Sequence, residues 1–500
     1  MAYKQGIDKN QMMIEPLCLD DYMPEDHICR LILAFTEQLD IHDLGFKYAQ
    51  TKEVGALPYS PRMMLNLYIY GYTNRIRSSR RLQAETTRNI EVMWLMDGLK
   101  PDDKTICNFR TDNKGALRKV FREFTKMLRN LGLYGAELIA VDGTKIRANN
   151  SRKNHYNQTT IEMALSRVDQ RINEYMDALD ENDKLESEEK KLTSAEIKNA
   201  IEKLEEKKKN LLEIKTKVEE HGEVSTVDPD AKMMRQGGDG RTLDICYNVH
   251  ASVDAKHSLI VDYEVTNCSA DQGELGGIAI TAKEVLDVDE MTALADKGYY
   301  DGDDIEMLEK NGIACYIATP KTKGIKHNEG FCREDFKYDK ETDTYTCPCN
   351  EIFTFRNVKK ERNGKEIKKY ANYSACAKCE QREKCTKGNY RTITRALNQD
   401  ILDTVAHRLH ENKALYRKRQ EIVEHPFGTI KSVWGYRQFL TRGKDKVDAE
   451  TALTFLAYNL RRVVNIFKEK GIKISDMFSK LSEHFSLFIE YSKYRRLLAA

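Results

Sequence analysis

Four residues near the end of the chain carry the clearest chemical signal: Tyr416, Arg419, Glu424 and Lys431, one acid set among a tyrosine and cations in a helix-like stretch. Two more acids each follow an apolar run. Asp142 comes after Ile139-Ala140-Val141 and before Gly143, and Asp296 after Ala293-Leu294-Ala295 and before Lys297-Gly298. Three carboxylates that converge in space form a cage for hard divalent cations, which prefer oxygen ligands. Two such ions about 3.5–4 Å apart can activate an attacking oxygen and stabilise a leaving one in phosphodiester cleavage. Arg419, Lys431 and Lys145 are placed to pin phosphates beside such ions, and His425 either orients a phosphate or packs. The chemistry implied is metal-assisted cutting and joining of DNA.

Each acid alone has a plainer reading. Asp142-Gly143 is a common turn signal, Asp296 could cap the next helix, and Glu424 could be one more charge on a solvated helix face. The combination is more informative. Two acids end strands of one expected sheet, whose edge gathers side chains, and the third comes from a helix flanked by cations. Asp271, in Ser269-Ala270-Asp271-Gln272-Gly273, is either an accessory acid near that edge or a helix cap, and the cap is the preferred reading.

The elements that must position these residues follow from periodicity. Residues 1–135 read as helical, with Arg75, Arg77, Arg80 and Arg81 in a basic run and the Pro101–Arg110 stretch after it. Short helices with clustered arginines suit a helix-turn-helix-like DNA reader. A strand is expected within 136–159. Residues 160–225 form a charged helical hairpin, in which Ile161, Leu165, Val168, Ile172, Tyr175 and Leu179 make a coiled-coil seam. Asp180–Asp183 is expected to break the first helix and Thr193–Glu196 to open the second. Across 226–320 the order is two strands, helix, strand, helix, strand. Residues 321–392 are a polar, Lys-rich, cysteine-bearing insertion, 393–470 return to helix around Glu424, and 471–500 make a basic tail. The fold class expected is α/β, a mixed sheet flanked by helices, with an N-terminal all-α domain and two insertions.

The chain has 500 residues, 40% hydrophobic and 32% charged, and a formal net charge of only +2. Affinity for nucleic acid must therefore come from local clusters. No apolar run reaches the ~20 residues of a membrane span, so no membrane partner and a cytoplasmic location are expected. Twelve cysteines in a chain of this size argue against a disulfide framework. Five of them crowd together. Cys376-x2-Cys379 is a half-site for tetrahedral zinc, and Cys347 or Cys349 with Cys385 would complete four thiolates. The preferred set is Cys347, Cys376, Cys379 and Cys385, with Cys349 spare, in a structural site that staples an insertion lacking its own core.

The spacing Tyr416-x2-Arg419-x4-Glu424-x6-Lys431 resembles the signature around the last acid of bacterial insertion-sequence transposases of the DDE class. Val141-Asp142-Gly143-Thr144-Lys145 and Ala295-Asp296-Lys297-Gly298-Tyr299 are similar to the first two acid motifs of that family. The resemblance implies an RNase H-like core, Asp142, Asp296 and Glu424 as the triad for two Mg²⁺ or Mn²⁺ ions, and DNA contacts from Tyr416, Arg419, Lys431, Lys145, His425, Arg80 and Arg81. It implies cleavage at element ends and strand transfer into target DNA. The partners would be double-stranded terminal inverted repeats and target DNA, with a homodimer on DNA, a nucleoid-associated location and no small-molecule substrate. A nuclease that does not join, or a non-catalytic zinc-bearing DNA binder, are the alternatives. Lys297 stands where smaller residues are commoner in that motif.

Overall fold

The computed structural model describes residues 18–50, 57–183, 189–236, 242–320, 331–360 and 366–474. The expected basic tail lies almost wholly outside them. Six helices open the described chain: α1 (Ile28–Glu37), α2 (Pro61–Thr73), α3 (Ser79–Arg88), α4 (Ile90–Leu95), α5 (Asp103–Asp112) and α6 (Lys114–Asn130). Strand β1 (Leu138–Arg147) follows. The short strands β2 (His155–Asn157) and β3 (Glu223–Ser225) clamp the base of a hairpin made by α7 (Gln158–Asp183) and α8 (Glu189–His221).

Ile161, Val168, Leu211 and Val218 form the buried seam of that hairpin, as the heptad spacing predicts. Two expected boundaries shift. Asp180–Asp183 continue α7, and α8 begins at Glu189, so Thr193–Glu196 lie inside it and do not open it. Local capping preference yields here to propagation of a helix already held by its seam.

The main sheet comprises β1, β4 (Lys232–Gln236), β5 (Thr242–Asp254), β6 (Ile260–Thr266), β7 (Met291–Ala295) and β8 (Ile313–Ile317), with α9 (Leu275–Leu286) and α10 (Gly302–Lys310) between the later strands. Its path is β4-β5-β1-β7-β8, with β6 also paired to β5. β5 pairs antiparallel with β1, β4 and β6, whereas β7 is parallel to both β1 and β8. The fold is a mixed α/β sheet flanked by helices.

A second sheet, β9 (Lys337–Asp339), β10 (Thr344–Thr346), β11 (Ile352–Lys360), β12 (Glu366–Ala371) and β13 (Thr392–Ala396), makes up the cysteine-bearing region with α11 (Tyr373–Lys378) and α12 (Arg382–Cys385). This region has a core of its own, contrary to the sequence expectation. Phe336, Tyr345, Phe353, Tyr370, Cys376 and Ile393 are buried together. Their aromatic rings supply large apolar area despite the polar composition around them.

Three helices end the described chain: α13 (Gln399–Glu411), α14 (Lys413–Gly428) and α15 (Lys444–Glu469). Pro426 lies inside α14 without ending it, and a π-helical turn, Thr429–Val433, extends the helix. Among the described residues no helix is long and apolar enough to cross a membrane.

One continuous hydrophobic cluster runs from the N-terminal helices through the sheet to α15. Arg77, part of the basic run, is a joint in this interface. It lies 3.9 Å from the centre of the Tyr436 ring and donates to Gln438 O at 3.0 Å and to Glu450 Oε1 at 3.2 Å. Glu450 is fully buried and also accepts from Leu440 N, Thr441 N and Thr441 Oγ1. Removing one partner of a buried ion pair leaves a charge uncompensated and costs about 3–5 kcal/mol. Arg77→Ala is therefore expected to lower the denaturant midpoint by that order, and Arg77→Ala with Glu450→Gln to recover part of it. An unchanged midpoint in the single variant would refute the role.

Candidate active site

β7 pairs with β1 from Leu138↔Thr292 to Val141↔Ala295 and then stops, while β5 continues along the other side of β1 to Arg147↔Cys246. The same register sets Asp142 beside Asp296, where β7 gives way to the short turn Lys297–Tyr299. Asp142 is thus inside a strand and makes no Asp-Gly turn. Gly143 is required for a different reason: a Cβ there would meet His250 Nδ1 at 2.8 Å and Tyr299 Oη at 3.0 Å. Asp296 occupies the N-cap position of its turn, yet its side chain makes no cap bond.

Helix α14 packs over β1 and β7. It buries Ile422, Val423, Pro426, Phe427 and, just beyond its end, Ile430. Arg419 belongs to the same inward side. Its guanidinium lies 3.5 Å from Asp142 Oδ2 and 3.9 Å from Asp296 Oδ1. Burial raises Asp142 above the usual carboxylate range; the Gly143 N–H, at 2.8 Å from Oδ1, and Arg419 pull it back, while Asp296 and Asp271 push it up. Tyr416, one turn before Arg419, is half-buried, and its phenol is raised by that burial in the presence of Arg419 and Asp296.

Glu424 does not join the two aspartates directly. It is exposed on α14, where its carboxylate accepts from Gln420 Nε2 at 2.6 Å. Lys431 points at the sheet, donating to Thr144 Oγ1 at 3.0 Å and to Lys145 O at 3.1 Å, and burial lowers its ammonium. Lys145 is half-buried on β1. His425 Nδ1 donates to Tyr458 Oη at 2.6 Å, and Tyr458 in turn donates to Ser258 O. His425 is exposed on α14, and this bond ties its ring to α15. Arg80 and Arg81 are exposed on α3, and Arg80 lies 3.4 Å from Asp103.

Three residues of the site carried weak signals. Asn248 and His250 alternate on β5, both buried, in a strand otherwise largely apolar from Cys246 to Val253. Polar residues spaced by two within a buried strand are the trace they leave in the sequence. His250 Nδ1 is 2.6 Å from Tyr299 Oη, and burial lowers its imidazole to about 4. Asp271, read from sequence chiefly as a helix cap, makes no such cap. Its carboxylate accepts from Asn248 Nδ2 at 2.8 Å, and α9 has no side-chain cap.

The five clustered cysteines line one small pocket with Phe331 and Phe353. The Cys349 and Cys379 sulfurs are 4.0 Å apart, and Glu351 N donates to Cys347 Sγ at 3.4 Å. Burial, then the neighbouring Cys379, pushes the Cys349 thiol up to about 11, and burial with the adjacent thiols raises Cys385.

Elsewhere among the described residues, His27, Cys29 and Glu91 bring donor atoms within 4.8 Å of one another. Hydrogen bonding accounts for this grouping. Cys29 N donates to His27 Nδ1 at 3.3 Å, which leaves the ring proton on Nε2, 3.5 Å from Glu91 Oε1. Glu91 also accepts from Tyr70 Oη at 2.6 Å. The trio joins α1 to α4 and turns no imidazole lone pair toward an ion.

Two family models match the chain. Residues 346–464 match the Transposase DDE domain, which takes in the cysteine cluster and Glu424, and residues 17–112 match the Transposase domain (DUF772), which takes in Arg80 and Arg81. No curated protein and no solved structure matches. The DDE class depends on divalent metal and acts on DNA. With an acid pair at one sheet edge, an arginine-bearing helix across it and transposase domains matched on both sides, the two matches support an insertion-sequence transposase of the DDE type.

Proposed function

We propose that Asp142, Asp296 and Glu424 are the catalytic acids of an RNase H-like core, holding two Mg²⁺ or Mn²⁺ ions, and that the enzyme both cuts element ends and joins them to target DNA. The observation that carries this reading is the placement of Asp142 and Asp296 next to each other just past the last β1–β7 pair, Val141↔Ala295, with one guanidinium near both. An all-oxygen donor set suits hard divalent ions, and Arg419 stands in for the positive charge that the two carboxylates need. When bound, such ions lower the barrier to attack at phosphorus and stabilise the leaving oxygen. The mixed sheet, with β7 and β8 parallel to β1 and β5 antiparallel to it, supports the RNase H-like reading.

The protein's own residues orient the reactants. Arg419, released from the acids, holds a phosphate of the bound strand. Glu424, five residues further along α14, leaves Gln420 and turns toward the pair. Lys431, bonded to Thr144 and to the Lys145 carbonyl, keeps the end of α14 against β1. Hydrolysis at the element end frees a 3′ hydroxyl, which then attacks target DNA with release of the equivalent alcohol. Joining two ends needs two active sites, so the functional unit is a homodimer on DNA. Arg80 and Arg81 of the helical domain contact the inverted repeat.

The cysteines hold one structural Zn²⁺ in four of five positions. Zn–S bonds of about 2.3 Å place tetrahedral sulfurs about 3.8 Å apart, and the 4.0 Å between Cys349 and Cys379 suits one edge of such a site. This favours Cys349 beside Cys379, with Cys347, Cys376 and Cys385 supplying the other two.

The experiment that tests the function is incubation of the protein with a labelled terminal inverted repeat and Mg²⁺ or Mn²⁺. Cleaved and joined products are expected. Cleavage without joining would leave a nuclease, and no cleavage at all would remove the enzymatic reading. A further expectation concerns the shared cation. Opposite charges near 4 Å interact by about 4 kcal/mol at an effective dielectric of 20, and solvent at this half-open site reduces that severalfold. Arg419→Gln should therefore bind Mn²⁺ about tenfold more tightly in the absence of DNA, yet bind DNA more weakly. Unchanged Mn²⁺ affinity in a titration would show that Arg419 does not compete with the ions.

A further inference from the structure

We propose that Asp271 is a fourth metal-binding carboxylate of this site, held in place by Asn248. The proposal rests on the reading of Asp142 and Asp296 given above.

Asp271 lies in the loop between β6 and α9. Helix α9 begins at Leu275, with Glu274 at its N-cap position and no side-chain cap bond. Glu274 N donates to the Asp271 backbone carbonyl at 3.3 Å, which leaves the carboxylate free for another use. That carboxylate turns to the sheet. One oxygen takes the Asn248 bond, and the other lies 3.3 Å from where a Cβ on Gly298 would stand. Gly298 is two residues past Asp296, so the turn that carries the second acid is bare where it faces Asp271. A larger residue there would press on the carboxylate.

The strand register fixes the other side. Asn248 is paired with Lys145 and His250 with Gly143, so both lie on the face of the sheet opposite Asp142, whose partner is Ala251, and just past the point where β7 stops pairing with β1. Asp271 and Asp296 are the two acids whose charges push Asp142 upward, and Asp271 also acts on Tyr299 and His250. Asp296 and Asp271 are thus close enough for their charges to act on Asp142, and Arg419 is shared between Asp142 and Asp296.

A second observation is independent of the acids. Asn248 is 1% exposed and its Oδ1 has no partner, and His250 is fully buried with Nε2 unpartnered. A buried polar atom left unpaired costs about 1–3 kcal/mol, and such atoms persist where an ion or water completes the site. Asn248 is built as a bracket: its amide N–H₂ holds Asp271, and its free oxygen is left for a water in the shell of a hydrated cation. Two ions sharing a site need more oxygen ligands than three carboxylates give, and Asp271 supplies them from the side opposite α14.

The test uses the full chain. Asp271→Asn keeps a carbonyl oxygen to accept from Asn248, so it removes the charge while preserving the loop. The variant is expected to melt at the same temperature, to bind Mn²⁺ at least tenfold more weakly in a titration followed by electron paramagnetic resonance, and to cleave a labelled inverted repeat in Mg²⁺ at least a hundredfold more slowly. Asp271→Cys should recover cleavage in Mn²⁺ or Cd²⁺ but not in Mg²⁺, because a thiolate prefers softer ions; a purely structural acid would not change the metal preference. Wild-type Mn²⁺ affinity and cleavage in Asp271→Asn, with both lost in Asp142→Asn assayed alongside, overturns this proposal alone. If Asp142→Asn is silent too, the reading of the whole site falls with it. Should Asp271→Asn fail to fold, Asp271→Cys decides: equal activity in Mg²⁺ and Mn²⁺, or no recovery in either softer ion, counts against a metal-binding role.

Discussion

Asp142→Asn is expected to slow strand cleavage on the order of 10³-fold or more, equivalent to at least about 4 kcal/mol of transition-state stabilisation, while leaving the protein at least as stable. The two halves of this expectation have one cause. Burial raises the Asp142 carboxyl above its ordinary value of 3.8. A group whose folded pKa exceeds its unfolded one destabilises the fold when charged, at pH values above the folded pKa, and this cost disappears as pH falls below the unfolded pKa. At neutral pH the neutral amide removes that cost and still accepts from Gly143 N. Activity and stability should therefore part company. The same raised pKa makes Mn²⁺ affinity fall with decreasing pH from a point above the ordinary carboxylate range, because the ion must displace a proton. Asp296→Asn and Glu424→Gln should abolish cleavage comparably. Cleavage that survives all three substitutions rejects the triad.

Loss of zinc should have the second largest effect, confined to residues 331–396. Structural zinc contributes about 10–16 kcal/mol in small thiolate sites, whereas this region's own core is six buried side chains. Elemental analysis is expected to give one zinc per chain. Chelation, or Cys376→Ser, should open the second sheet to proteolysis while the main sheet resists, because Cys376 serves both the pocket and the aromatic core. Single serine substitutions of Cys347, Cys349, Cys376 and Cys385 identify the ligands: those that lower zinc content are bound, and the spare one leaves it unchanged. Less than about half an equivalent of zinc, with no change after Cys379→Ser, removes the metal from this region.

Much of this architecture is legible in the residues. The apolar runs before Asp142 and Asp296 are β1 and β7, since buried parallel strands need continuous hydrophobic sequence. The seam of α7 and α8 follows its heptads. The aromatic core of the cysteine-bearing region was hidden because its large side chains are spread thinly through charged strands. Its edge strand β13 comes from after the cysteines and adds Ile393 to that core by pairing with β12.

Local sequence determined where the acids sit along their strands and which helix carries Glu424, because period and apolar patterning act over a few residues. Tertiary structure alone decided the rest. Gly143 is glycine because His250 and Tyr299 crowd it, Arg77 is a joint because Glu450 is buried 373 residues away, and Asp271 faces the site because Asn248 holds it across 23 residues. Each depends on a partner remote in the chain, and the free energy of burying a charge or a polar atom is fixed by that partner and not by its neighbours in sequence.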